Sequence, residues 1–383
     1  MKTTKIYMES PFIYGVATFG KWFTDREEDA KRLLMNFIHG INTIIISPRR
    51  WGKTSLVLKI AGQLNSKDLK IVTLDIFSCR SADEFYRAFA TRIIQQTASK
   101  WEEWSENARH FLAALTPKIS IGSDPTTDFS ISFDLSNNRR IQDEEVLNLP
   151  LKIAQKKGIR IVVCIDEFQQ IAEFANAITF QKKLRSFWQL QAPHVSYCLY
   201  GSKKHMMEKL FSKQSMPFYK FGDIIFLQKI VPEYWIPFIQ QRFEETGKFI
   251  STDLATKICE MVENHSSYVQ QFAWLIWVHT EKETTLTDFN DAYNDLLNQN
   301  TPLYYGYMEG LTSLQINFMR AVADGIEDQF SRKETLFIYN LGTSANISRL
   351  KKSLEQKELI DITGKKVTFN DPVFRIWFKK EIL

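Results

Sequence analysis

The chain has 383 residues, of which 44% are apolar, 24% charged and 13% aromatic, a globular balance with length for two or three domains. With 15 Gly and 11 Pro it is not collagen-like, linker-dominated or of low complexity. The net charge of +5 suits a polyanionic partner without requiring one.

The N-terminus, MKTTKIYMESPF, carries lysines with no apolar run behind them, so no signal peptide is expected. Asp25-Arg26-Glu27-Glu28-Asp29 is the acidic start of a helix. Thr43-Ile44-Ile45-Ile46 then reads as a short strand of a parallel sheet. Ser47-Pro48-Arg49-Arg50-Trp51-Gly52-Lys53-Thr54-Ser55 follows, and Leu56, Val57, Ile60, Ala61 and Leu64 recur at helical spacing. Strand, loop and helix in this order make a phosphate-binding loop. Backbone N–H groups at a helix N-terminus form an anion nest, Lys53 reaches the β- and γ-phosphates, and the Thr54 hydroxyl ligates Mg²⁺. The motif G-x-x-x-x-G-K-[ST] is departed from once, at Ser47, which fits only with an ordinary φ.

A helix is expected over 82–94, with Phe85, Phe89 and Ile93 on one face. Residues 118–135 alternate about an SDPTT turn and predict a β-hairpin inserted between the second and third core strands. The third strand, Ile161 to Ile165, runs into Asp166-Glu167. Asp166 would bind Mg²⁺, mostly through water, and Glu167 would orient and polarise the attacking water as a general base. The other reading of this pair is an acidic strand end that caps the next helix. A further strand is expected over 196–200, leading into Gly201-Ser202.

From Pro232 to about Gln299 the pattern is one of amphipathic helices, until Thr301-Pro302 breaks the chain. Beyond it come a helix over 311–323, a second opened by a capping box at Ser331-Arg332-Lys333-Glu334, and a third from Ser344 with Ile347, Leu350 and Leu354 inward. Residues 359–362 pair with 367–369 across the turn Thr363-Gly364-Lys365-Lys366. Three helices and a basic hairpin make a winged helix.

SPRRWGKTS, VVCIDEFQQI, CLYGSKKHMMEKLF and MPFYKFGDIIFLQKI together resemble the archaeal-type ATPases of the AAA+/STAND P-loop superfamily, relatives of the origin-recognition initiator ATPases. The resemblance implies an α/β fold: a P-loop core of AAA+ type with strand order 5-1-4-3-2 (1–230), a helical lid (231–300) and a C-terminal winged helix (301–383). The five core strands it implies are 43–46, 71–76, 159–166, 196–200 and 224–227. ATP and Mg²⁺ are the implied ligands. Ser202 would contact the γ-phosphate or the lytic water, or else cap the helix over 203–210. Phe23 to Glu27 and Tyr14-Gly15 would lie near the adenine. Relatives carry Gly-His-Pro where this chain reads Asn264-His265-Ser266. Lys220 or Arg185 is the candidate for the arginine-finger equivalent, the other reading of both being a solvated helix face. The function implied is an ATP-hydrolysing switch. The alternatives are a DNA-associated protein with little turnover and a conflict-system or signalling scaffold. The partners expected are ATP, duplex DNA through the winged helix, and a protein partner or second copy.

Other chemistries lack their signatures. The six histidines form no HExxH, and there is no GxSxG and no GxGxxG after a strand. Cys79, Cys164, Cys198 and Cys259 form no CxxC, which fits a reducing, cytoplasmic setting. No window holds 18 apolar residues, so no membrane partner is expected.

Overall fold

The computed structural model describes residues 10–97, 119–124, 127–133 and 139–383. The chain divides into two compact units, Arg26–Gln228 and Met1–Asp25 with Lys229–Leu383.

The first unit is built on a five-stranded sheet. Its strands are β1 (Thr43–Ile46), β2 (Leu69–Asp75), β5 (Arg160–Asp166), β6 (Val195–Gly201) and β7 (Asp223–Phe226). They lie in the order β2-β5-β6-β1-β7, and every pair is parallel. Counting only these core strands, that is the expected 5-1-4-3-2. All residues of β1 and β6 are buried, which is why apolar residues dominate both. The pairing Asp75↔Asp166 aligns the carboxyl ends of β2 and β5, and Ile46↔Gly201 aligns those of β1 and β6. The expected hairpin is present as β3 (Ile119–Asp124) and β4 (Thr127–Phe133), with Ile119 opposite Phe133. The turn residues between these strands lie outside the described residues.

Helix Ala82–Thr97 buries Phe85, Phe89 and Ile93, as its spacing predicts. Behind β5 and β6 lies an aromatic cluster in which Trp188 stacks on Tyr197 at 4.2 Å and Phe168 packs on Phe211 and Phe218. At roughly 2 kcal/mol per buried aromatic side chain, such a cluster can hold a turn that is otherwise unfavourable.

In the second unit, helices Pro232–Glu244, Thr252–Met261, Ser266–His279 and Leu286–Glu309 share one core with the C-terminal residues. The segment before Arg26 packs here too. Phe12 lies against Phe238 and Phe243, and the Gln270 amide accepts from Ile13 N–H at 3.3 Å and donates to Trp22 O at 2.9 Å.

Three local expectations are corrected. Thr301-Pro302 does not break the chain, because helix Leu286–Glu309 runs through Pro302. Asn300 Nδ2 and Thr301 Oγ1 donate to the carbonyls of Leu296 and Leu297, and Tyr304 is buried one turn later. Tertiary burial offsets the proline, which removes the N–H that would meet Asn298 O and is worth about 3 kcal/mol against a helix. The capping box at Ser331 is also absent. A turn closed by Arg332 N–H to Gln329 O takes up Ser331, and helix Lys333–Ile338 starts behind Arg332 with no side-chain cap. A capping box does form earlier, where Thr312 and Gln315 open helix Ser313–Ala323. The hairpin turn is shorter than expected, since β8 (Ile360–Thr363) and β9 (Lys366–Phe369) pair through to Thr363↔Lys366. Lys366 is therefore a strand residue, ion-paired with Glu327 at 2.8 Å.

Helix Ser344–Gln356 buries Ile347, Leu350 and Leu354 as expected. A terminal helix, Pro372–Ile382, was not among the elements read from the sequence. Its signal was Asp371-Pro372, in which Asp371 accepts from Val373 and Phe374 N–H at 2.9 Å.

Candidate nucleotide site at the carboxyl edge of the sheet

The loop after β1 turns through two left-handed residues, Arg50 (φ 63°) and Gly52 (φ 94°). Gly52 is the N-cap of helix Lys53–Leu64, a backbone position that glycine takes without a Cβ penalty. Ser47 keeps an ordinary φ, so the departure from the motif is sterically harmless. The first intrahelical bond runs from Leu56 N–H to Gly52 O, which places the N–H groups of Lys53, Thr54 and Ser55 at the helix mouth. Pro48 and Trp51 are half-buried, and Arg49 and Arg50 are exposed.

Lys53 is buried, and its ammonium donates to the carbonyls of Ser47 at 3.0 Å and Pro48 at 2.8 Å. Burial pulls its pKa down to about 8 against the attraction of Asp166 and Glu167. The Thr54 hydroxyl donates to Asp166 Oδ2 at 2.7 Å, and Asp166 Oδ1 accepts the Glu167 N–H at 2.8 Å. Burial also pushes the Asp166 carboxyl up to about 6. The site thus holds a cation and an anion that are each disfavoured by desolvation.

Glu167 does not cap a helix with its side chain. It sits at φ 52° before the 3₁₀ turn Phe168–Ala172, and its Oε2 accepts from Ser202 Oγ at 2.9 Å and from Gln169 Nε2. Ser202 is not an N-cap either. Helix Lys204–Ser212 starts behind Lys203 with no side-chain cap, which leaves the Ser202 hydroxyl directed to Glu167.

The other expected residues fall elsewhere. Arg185 donates to Pro217 O at 3.0 Å and Tyr219 O at 2.9 Å and lies over Phe221, so it braces the loop before β7. Lys220 is exposed beside Tyr219. In the second unit, Tyr14 packs on Trp274, and His265 precedes helix Ser266–His279 with its ring 4.8 Å from Tyr268.

Two residues carry more of the site than their motif places suggested. Arg26 is buried and left-handed (φ 73°), and its guanidinium donates to Trp51 O at 2.9 Å, bracing the phosphate loop from the helix Glu27–His39. Gln169 reaches back to Glu167. Its only sequence signal was an amide two residues beyond the carboxylate, in Asp166-Glu167-Phe168-Gln169.

Chemically, the helix mouth and Lys53 suit phosphate oxygens. Thr54 and Asp166 offer two hard oxygens, the donor set of a divalent cation that keeps several waters and binds substrate phosphates as well. Among the described residues, no group of three His, Cys, Asp or Glu side chains could hold a metal by itself.

A parallel 5-1-4-3-2 sheet with this loop after its first strand is the core fold of the AAA+-type P-loop ATPases. The chain is similar in structure to the Walker-type ATPase PABY2304 of Pyrococcus abyssi, with a TM-score of 0.69 at 15% identity over 96% of this chain and 99% of that one. It is also similar to the Aeropyrum pernix ORC2 protein solved as ADPNP–ADP complexes, with a TM-score of 0.55 at 13% identity over 93% of this chain and 94% of that one. The ADP form of that protein gives a TM-score of 0.52 at 11% identity, covering 93% of each chain. No family model matches the chain, and no curated protein matches it by sequence. Among the described residues, no helix is long and apolar enough to cross a membrane.

Proposed function

We propose that the chain is a Mg²⁺-dependent ATP-binding protein that hydrolyses ATP, acting as an AAA+/STAND-type switch whose nucleotide state is read by a C-terminal winged helix in the cytoplasm. The observation that carries this reading is the convergence of Lys53, Thr54, Asp166 and Glu167 at one edge of the sheet. In this reading the backbone from Ser47 to Ser55 cradles the phosphates, and Lys53 exchanges its two carbonyl partners for phosphate oxygens. Thr54 and Asp166 would hold Mg²⁺, which supplies positive charge to the phosphates when bound. Glu167 accepts a proton from the water that attacks the γ-phosphorus, and Ser202 orients that water or the γ-phosphate. Residues 231–300 serve as the lid and 301–383 as the output module.

ATP turnover by the purified chain tests this, with Mg²⁺ and with excess chelator, and with and without duplex DNA. Chelator-sensitive phosphate release supports the reading; its absence under all conditions overturns hydrolysis.

A DNA-associated role is the second reading, favoured by one observation. Ser348, Arg349 and Lys352 are exposed on helix Ser344–Gln356, opposite its buried Ile347, Leu350 and Leu354. Long basic side chains on one helix face can neutralise backbone phosphates.

A further inference from the structure

The catalytic reading leaves one buried side chain without a role. Gln169 is 2% exposed and sits one residue beyond Phe168, which is anchored in the aromatic cluster. The left-handed turn at Glu167 (φ 52°) folds the chain back, so that the Gln169 amide meets the carboxylate two positions earlier. Only the amide nitrogen can face a carboxylate, and this sets the amide's orientation. Its oxygen then points at the end of β6, where the neighbour is a glycine. A Cβ on Gly201 would stand 1.9 Å from Gln169 Oε1 and 3.0 Å from Met207 Sδ. Gly201-Ser202 therefore acts twice, leaving room for the Gln169 amide and supplying the second donor to Glu167. Both donors reach Oε2, and among the described residues no donor is assigned to Oε1.

We propose that Gln169 is a positioning residue that holds the Glu167 carboxylate by Oε2 and leaves Oε1 to the attacking water, with Gly201 required as the space in which its amide lies. The inference rests on the hydrolytic reading given above. It assigns Gln169 no contact with nucleotide. Its loss therefore acts on the chemical step through Glu167, and ATP binding at the phosphate loop stays intact. A carboxylate free to rotate loses alignment with its proton, and misplacement of this kind lowers turnover by roughly ten- to a hundredfold.

The test is steady-state ATP hydrolysis and fluorescent-nucleotide binding by the full chain, for wild type, Gln169→Met, Gln169→Asn and Gly201→Ala. Gln169→Met keeps the volume and removes the donor. Gln169→Asn keeps an amide in the pocket but is one methylene too short, so it remains informative if the Met variant does not fold. Turnover is expected to fall by roughly tenfold or more in each, with KM and nucleotide affinity unchanged. Single-turnover rates in a Glu167→Gln background separate positioning from general damage. A residue that acts through Glu167 adds no further loss there, whereas a merely structural one multiplies it. Wild-type turnover in Gln169→Met, or the same fold loss in both backgrounds, would overturn the inference alone. No hydrolysis by the wild-type chain would overturn the hydrolytic reading, and this inference with it.

Discussion

The hydroxyl of Thr54 and the carboxylate of Asp166, 112 residues apart in the chain, are joined by a hydrogen bond of 2.7 Å. Thr54 stands on the first turn of the helix that follows β1, and Asp166 is the last residue of β5, with β6 between the two strands. Their meeting is a product of parallel strand order, which sets the carboxyl ends of β1 and β5 at the same edge of the sheet with only β6 between them.

Lys53→Ala is expected to abolish nucleotide binding, since it removes the only buried ammonium of the loop. The wild-type protein carries its own control. With the Lys53 pKa held down to about 8 by burial, the ammonium is lost as pH rises through that value, and ATP affinity should weaken in the same direction. Fluorescent-nucleotide titrations at about pH 7 and about pH 9 check this. An unchanged dissociation constant would contradict an amine that both titrates near 8 and contacts phosphate.

Glu167→Gln separates binding from chemistry. Nucleotide affinity should persist while turnover falls by on the order of a hundredfold or more, the usual range for loss of a general base. Equal phosphate release by variant and wild type would move the base elsewhere.

Asp166→Asn should show a stability difference that depends on pH. The folded carboxyl is raised to about 6 from 3.8, so the folded state binds more protons than the unfolded state between these values. This group therefore contributes least to stability above about pH 6, and its contribution improves as pH falls toward 3.8. Without nucleotide, the variant's stability relative to wild type should be higher at about pH 7.5 than at about pH 5, by about 1 kcal/mol. Denaturant melts of both proteins at the two pH values measure it, and a constant difference would contradict a carboxylate whose desolvation outweighs its hydrogen bonds.

Arg26→Met removes the brace on the Trp51 carbonyl while keeping the aliphatic stem. The expected loss is about 1 kcal/mol of stability, the usual net value of a hydrogen bond, together with weaker nucleotide binding although Lys53 is intact. Calorimetric melting and nucleotide titration of the variant decide it. Wild-type affinity would make Arg26 a fold residue only.

Duplex binding, if the C-terminal module contacts DNA, should be weak, salt-sensitive and largely independent of sequence. Its log–log salt slope should be roughly −0.9 per neutralised phosphate. Changing Arg349, Lys352, Lys365 and Lys366 to Glu should reduce it. Lys366 should contribute least of the four, because it is already paired with Glu327. Fluorescence anisotropy on a random duplex at low salt provides the measurement, and the absence of wild-type binding would favour a protein contact.

Contiguous features were legible in the residues alone. The strand, loop and helix around Ser47–Ser55 follow one another directly, so residue type and spacing carry them, and the same holds for β5 with Asp166-Glu167 at its end. Local signals misled where tertiary contacts outweighed them. Pro302 reads as a breaker, yet the burial of Tyr304 carries the helix past it. Ser331 and Glu334 have capping-box spacing, but the turn from Gln329 to Arg332 takes the serine first.

The partners of the site's side chains required the folded chain. Ser202 could have capped a helix or faced the site, and its direction toward Glu167 follows from the pairing of β5 with β6. Arg185 looked available as a finger until the loop before β7 closed on its guanidinium. Residue types and their order therefore specified the phosphate loop, the acidic strand end and the helical remainder. Which donor meets which acceptor was decided by the parallel crossover order, because such bonds join groups that the linear chain holds far apart and that only packing of the sheet and its aromatic layer brings within reach.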